Sequence, residues 1–252
     1  MKKNNFIRPT LTALSLLFWL GLWHITAVNI DLDFILPTPW IVFCRLGEMA
    51  LTYDFYRILF FSFVRIMTGF FGGMILGFLL GTFSHFFFPV RALFQPLIGI
   101  LKATPVASFI LVVILWLKRE EVPCFIALIM VLPIVWQNTL LGFASRDKQI
   151  SEMGKVFGFG KMKTFWHIDL PQVLPSLFAA ARTGLGLAWK AGVAAEVLAL
   201  PKISVGEMIH NAKSYLETPD LYAWTIAIII FSVGIEKLML FAFLKRRRYA
   251  DS

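Results

Sequence analysis

The sequence predicts an all-α integral membrane protein with about six transmembrane helices. Three observations carry that expectation. The chain has 252 residues, of which 58% are hydrophobic and only 15% charged, against roughly 25% charged in an average soluble domain. Its mean hydropathy is +0.75, too apolar for a single soluble core to hide. The apolar residues also gather into six runs, each near the roughly 20 residues that a helix needs to cross a bilayer.

Those runs are approximately 11–28, 60–84, 103–118, 123–141, 176–200 and 221–243, in one domain spanning 1–252. The first follows a basic start, as a signal peptide would. At about 18 residues it exceeds a usual h-region of roughly 7–15 and lacks a small-residue cleavage site, so it reads as a retained helix. The second is followed by "FPVRALFQPLIGILK", expected as an interfacial helix. The third ends at "KREE" and is expected to form a tight hairpin with the fourth around Pro123. Between the first and second, "LPTPWIVFCRLGEMALTYDFYR" breaks at Pro37 and Pro39 and then alternates at helical spacing, which suits a short amphipathic helix on the membrane face.

The net charge of +9 does not point to nucleic acid, because the positive residues sit at the two ends and in a few loops. Lys2, Lys3 and Arg8 precede the first run, and Lys245 to Arg248 follow the last. With six crossings both ends share one side, and the positive-inside rule makes that side the cytoplasm. The loop 146–171, with Lys148, Lys155, Lys161 and Lys163, then faces the cytoplasm as well.

Small residues recur every four positions in two runs: Gly69, Gly73, Gly77 and Gly81 in the second, and Ala180, Gly184, Ala188 and Gly192 in the fifth. Such stripes let helix backbones approach closely in lipid; a backbone lining a substrate path is the alternative. The fifth run also holds Arg182, Lys190 and Glu196. A charge at a helix centre costs roughly 2.5–3.5 kcal/mol on insertion scales, so these groups should avoid lipid. Arg182 is near enough to the end to snorkel. Glu196 continues the stripe of small residues, whereas Lys190 lines up with Arg182 and Gly186. Lys190 and Glu196 either line a translocation path or pair with other helices.

Catalytic chemistry is not visible. The segment "SEMGKVFGFGKMKTFWHIDLP" has glycines before a lysine, but Lys155 stands where the first Walker A glycine belongs and Met162 where its Ser or Thr belongs. Lys163 occupies the third glycine position of the dinucleotide pattern. His24, His85, His167 and His210 are scattered, and Cys44 and Cys124 have no metal spacing. No catalytic residue, metal site or cofactor is expected on this chain.

The same segment fits another pattern. Glu152, Gly158, Ile168, Leu170 and Pro171 have the spacing of the EAA signature, E-A-A-x₃-G-x₉-I-x-L-P, with Met153 and Gly154 in place of two alanines. "LPTPW", "GFFGGMILGFLLG", "LKATPVASFILVVILW" and "GLAWKAGVAAEVLA" follow in the order seen in the nitrate, sulfonate and taurine permeases of ATP-binding-cassette importers. The chain resembles that family over nearly its whole length. The resemblance implies a type I importer permease fold in which loop 146–171 is a coupling helix–turn–helix seated in a cleft of a separate ATPase. That partner would hold ATP and Mg, and Glu152 would make a polar contact in the cleft. Phe157, Phe159, Phe165 and Trp166 suit insertion into such a groove, or packing on the chain's own base. Gly158 and Gly160 would allow the turn, and Pro171 would stop the helix before the chain re-enters the membrane. A homodimer with two ATPases and an extracytoplasmic binding protein is implied, for a small anionic or heteroaromatic solute. A stand-alone carrier or channel is the alternative.

Overall fold

The structure, a computed structural model, describes the backbone of residues 4–250 and the side chains of 11, 12, 14–147, 149, 150, 152–154 and 156–239. The basic side chains of Lys2, Lys3, Arg8, Lys148, Lys155 and Lys245 to Arg248 lie outside the described residues. The chain runs α1 (Asn4–Ile30), α2 (Pro39–Ala50), α3 (Tyr53–Phe86), α4 (Phe88–Ala103), α5 (Val106–Ile114), α6 (Val122–Ala144), α7 (Lys148–Val156), α8 (Lys161–Thr164), a π-helical turn (Phe165–Asp169), α9 (Leu170–Ala199), α10 (Val205–Ser214) and α11 (Thr218–Ala250).

The centre is a three-helix body of α3, α6 and α9. Gly73 of α3 lies so close to α6 that a Cβ there would stand 2.7 Å from the Leu128 carbonyl oxygen and 2.8 Å from the Val131 Cβ. At Gly77 it would stand 2.7 Å from the Val135 Cβ, and at Gly81 2.6 Å from the Thr139 Cβ. Gly69 meets the carbonyl of Cys124 in the same way. The four-residue spacing keeps all four glycines on one side of α3. On α9, Gly192 packs on Ile66 of α3 and Gly184 touches Val131 of α6. Ile66, Phe70, Val131, Val135, Leu185 and Ala188 fill the space between the three helices.

Two smaller clusters attach to this body. Ile110 and Val113 of α5 pack with Ile126 of α6 and Ala195 of α9. At the other side, Val42 of α2, Phe55 and Leu59 of α3, Val205 of α10 and Trp224 of α11 form the second cluster. There the rings of Phe55 and Trp224 stack at 5.1 Å. Arg45 of α2 bonds Asp220 of α11 at 2.5 Å and Glu48 at 2.9 Å, and these carboxylates hold its guanidinium pKa above the ordinary value. The amphipathic α2 is therefore fastened to protein along part of its length.

Three described helices are long and apolar enough to cross a membrane: Tyr53–Phe86, Val122–Ala144 and Thr218–Met239. A fourth span arises if α4 and α5, bent by 104° at their junction, act as one. Helix α9 has 30 residues, about 45 Å at 1.5 Å per residue, but it carries Arg182, Lys190 and Glu196.

The expected third run, 103–118, is corrected by the structure. It is not one helix: α4 ends at Ala103 and α5 has only 9 residues, about 14 Å. Pro105 disfavours helical backbone at Thr104, which sits at φ −73, ψ 128. The expected hairpin around Pro123 is also corrected. The chain turns over 115–121, and Pro123 lies in the first turn of α6, where its missing N–H leaves no bond unmade.

Replacing Gly77 by Leu should destabilise the fold by about 1–3 kcal/mol, the usual cost of overpacking, because the Leu132 carbonyl and Val135 cannot both retreat. Gly99→Leu, with open space around its Cβ position, should stay within about 0.5 kcal/mol. Thermal unfolding of the purified chain in detergent checks the contrast.

Candidate functional site

The loop 146–171 is built on two arms. Asp147 opens α7 by accepting a hydrogen bond from the Gln149 N–H at 2.8 Å, the usual N-cap arrangement. The far end of α7 closes with the Phe157 N–H donating to the Met153 carbonyl at 3.0 Å and the Phe159 N–H donating to the Gly154 carbonyl at 2.9 Å. This is a Schellman closure, which needs a left-handed residue, and Gly158 supplies it at φ +67. Gly160 differs from expectation: it stands in extended backbone at φ −65, so only Gly158 makes the turn.

Gly154 is buried against the side chain of Ile168, and a Cβ at that position would run into the Ile168 Cδ1. The departure from alanine thus coincides with close approach of the two arms. The second arm does not stop at Pro171. α8, the π turn and α9 follow without interruption, and Pro171 lies in the first turn of α9. A proline ring clashes with the carbonyl four residues back. The wider π turn just before it gives that room, with the Leu170 N–H reaching back to the Phe165 carbonyl.

The aromatic residues divide. Phe157 is 71% exposed and Trp166 57%, beside exposed Met153, Val156 and Met162. Phe159 is half-buried, with the Lys163 Nζ 4.5 Å from its ring centroid. Phe165 turns inward and stacks on Phe143 at 6.5 Å, with Phe86 at 6.3 Å. It belongs to the chain's own base and is removed from the set of groove contacts. Glu152 and Pro171 are exposed, Leu170 is half-buried, and Ile168 is buried.

Beneath the loop lies a polar cluster that sequence reading missed. Arg146, after α6, pairs with Asp169 of the π turn, which is only 5% exposed. The same guanidinium donates to the Phe143 carbonyl at 2.9 Å and to the His85 Nε2 at 3.0 Å. His85, on the last turn of α3, lies flat on Phe143 with centroids 4.4 Å apart. A second tie runs from the Asp147 N–H to the Gln172 Oε1 at 2.8 Å. Arg146 and Asp169 stand 23 residues apart, so no local pattern announces them.

The charges of α9 separate just as clearly. Glu196 is 0% exposed. It accepts from the Ser62 Oγ at 2.8 Å, from the Gly206 N–H at 3.3 Å and from the Arg65 Nη1 at 3.4 Å. Arg65 also donates to the carbonyls of Ile203 and Lys202 at 3.1 and 2.6 Å. Glu196 therefore fastens α3, α9 and the start of α10 and is shut off from solvent. Arg182 is exposed and reaches Glu236 of α11 at 3.2 Å. Lys190 is exposed on the outer face of α9 in line with Gly186, around which there is open space. Lys102, which sequence reading passed over, donates to the Gln137 Oε1 at 2.7 Å. Among the described residues no group of three His, Cys, Asp or Glu side chains could hold a metal ion.

Helices long and apolar enough to cross a membrane, with an apolar-tipped loop fastened at their base, define a polytopic membrane protein. The chain belongs to the binding-protein-dependent transport system inner membrane components, whose family model matches residues 73–248. It is 30% identical over 201 residues to a Bacillus subtilis permease named for aliphatic sulfonates transport, SsuC, covering 79% of this chain and 71% of that one. It is 25% identical over 220 residues to the taurine transport system permease protein TauC of Escherichia coli (85% and 80% covered). It is 28% identical over 193 residues to the nitrate import permease protein NrtB of Synechocystis (74% and 66% covered). The chain is thus the permease subunit of an ATP-binding-cassette importer, which displaces the stand-alone carrier or channel.

Removing one member of a buried ion pair costs about 3–5 kcal/mol, so Glu196→Ala should strongly lower the unfolding midpoint. Glu196→Gln keeps an acceptor for Ser62 and Gly206 and should fall between it and the parent. Thermal unfolding in detergent gives the order.

Proposed function

We propose that loop 146–171 docks in a groove of a separate ATPase subunit, and that the permease acts as a homodimer with two ATPases and an extracytoplasmic substrate-binding protein. The observation that carries this reading is the exposed apolar tip, Val156, Phe157, Met162 and Trp166, on a loop that also bears the EAA spacing. Large apolar groups at a loop tip suit a desolvated pocket on a partner. Phe157 and Phe159 would enter that groove, Glu152 would make a polar contact beside them, and Gly158 would set the turn. Ile168, Leu170 and Pro171 would join the docked tip to α9. ATP and Mg would reside wholly on the partner.

The proposed topology has six crossings within one domain, 1–252: α1, α3, the bent α4–α5 pair, α6, α9 and α11. Both termini and the loop then face the cytoplasm of a bacterial inner membrane. Closure of the ATPase pair would draw the two loops together and open the path outward, an alternating-access cycle. The substrate is a small solute, anionic or heteroaromatic. The sulfonate, taurine and nitrate permeases among its relatives favour the anion, which a cationic Lys190 on the path would suit. An unpaired ammonium at that position is too costly to face lipid.

Two experiments test this. Glu152→Ala with Phe157→Ser should lower capture of the ATPase by at least tenfold; capture unchanged within twofold overturns the docking reading. Lys190→Met should reduce uptake of taurine or nitrate into vesicles several-fold with the ATPase still bound. Unchanged rate and preference remove Lys190 from the path.

A further inference from the structure

We infer that Arg146 and Asp169 are positioning residues: their largely buried pair carries movement of the docked loop into the inner ends of α3 and α6. This rests on the docking reading above and goes beyond it.

Loop 146–171 meets α3 and α6 through the inward ring of Phe165 and through its two feet. One foot is Arg146 and Asp147; the other is Ile168, Asp169 and Gln172. Arg146 bonds Asp169 across the feet, the Phe143 carbonyl of α6 and the His85 ring of α3. One guanidinium thus ties α3 and α6 to the π turn of the loop. Its planar fork suits this, because the three bonds leave from three separate nitrogens, whereas a lysine's three donors share one. The Asp147–Gln172 bond and the Gly154–Ile168 contact brace the same feet. Asp169 is shielded from solvent, and Arg146 is partly shielded. Neither is placed to touch a partner at the loop tip. With the pair intact, tip and helix ends form one body. Without it, the tip could shift while the ends of α3 and α6 stay.

Hydrogen exchange on the complex with the ATPase, with and without ATP-Mg, reads this transmission directly. The ATPase would carry a substitution that blocks hydrolysis and traps closure. In the parent, ATP should change exchange both in α7 and in the last turns of α3 and α6. In Asp169→Asn, the change in α7 should persist while that at the helix ends falls at least threefold. Asp169→Glu should restore it in part. Should Asp169→Asn not fold, Arg146→Lys and His85→Gln break the cluster more gently and should show the same separation. Equal ATP-induced change at the helix ends in variants and parent overturns the inference, as does loss of ATPase capture in the variants, which would make the pair a docking element. A parent chain that captures no ATPase overturns the docking reading itself, and this inference with it.

Discussion

The close approach of α3 to α6 is the contact on which the rest of the molecule depends. Between helices in lipid there is little hydrophobic drive, because acyl chains are as apolar as leucine. Association must come from packing, and packing improves as backbones approach. Gly69, Gly73, Gly77 and Gly81 let α3 lie on the carbonyls and β-carbons of α6 along four turns. α9 then completes the body, with Ala180, Ala188 and Gly192 on its inner side. α5, α10 and α11 add their clusters to surfaces that these three helices have already formed.

Each end of that body is closed by a buried ion cluster. At one end Arg65, Glu196 and Ser62 join α3 and α9 to the start of α10. At the other, Arg146, Asp169 and His85 join α3, α6 and the foot of α9. Buried pairs contribute little net stability, since desolvation offsets most of the attraction. Their effect is on register. Glycine stripes tolerate a slide of one helix along another far better than a guanidinium tolerates losing its carboxylate. The stripes provide proximity and the clusters oppose sliding, so the same helices need both.

Much of the fold was legible in the sequence because its cause is local. Apolar runs announce helices, and four-residue glycine spacing announces a close face. The exceptions have local causes too, but ones that apolar run length overrides. Pro105 divides the third run, and a count of apolar residues passes over it. At the loop, the EAA spacing located Gly158, Ile168 and Pro171, and the left-handed Gly158 follows from residue type. The Arg146–Asp169–His85 cluster was not legible, because its members lie on three segments and meet only after folding. Glu196 was legible as a charge that must avoid lipid. Whether it met protein or a path depended on Arg65 and Ser62, more than 130 residues away in sequence.

The π turn links the loop's proline to the buried pair beneath it. A helix–turn–helix with a proline stop would have left the loop hinged on α9. Instead the chain passes from α8 to α9 without leaving helical conformation, and the proline is absorbed by widening one turn. That widening also sets Asp169 beneath Arg146 rather than on the outer surface of the arm. The irregularity that Pro171 imposes is therefore the one that makes the buried pair possible. Sequence spacing between Ile168 and Pro171 then has a structural reading: one residue packs the arms together, the next anchors them, and the proline fixes the turn that aims both.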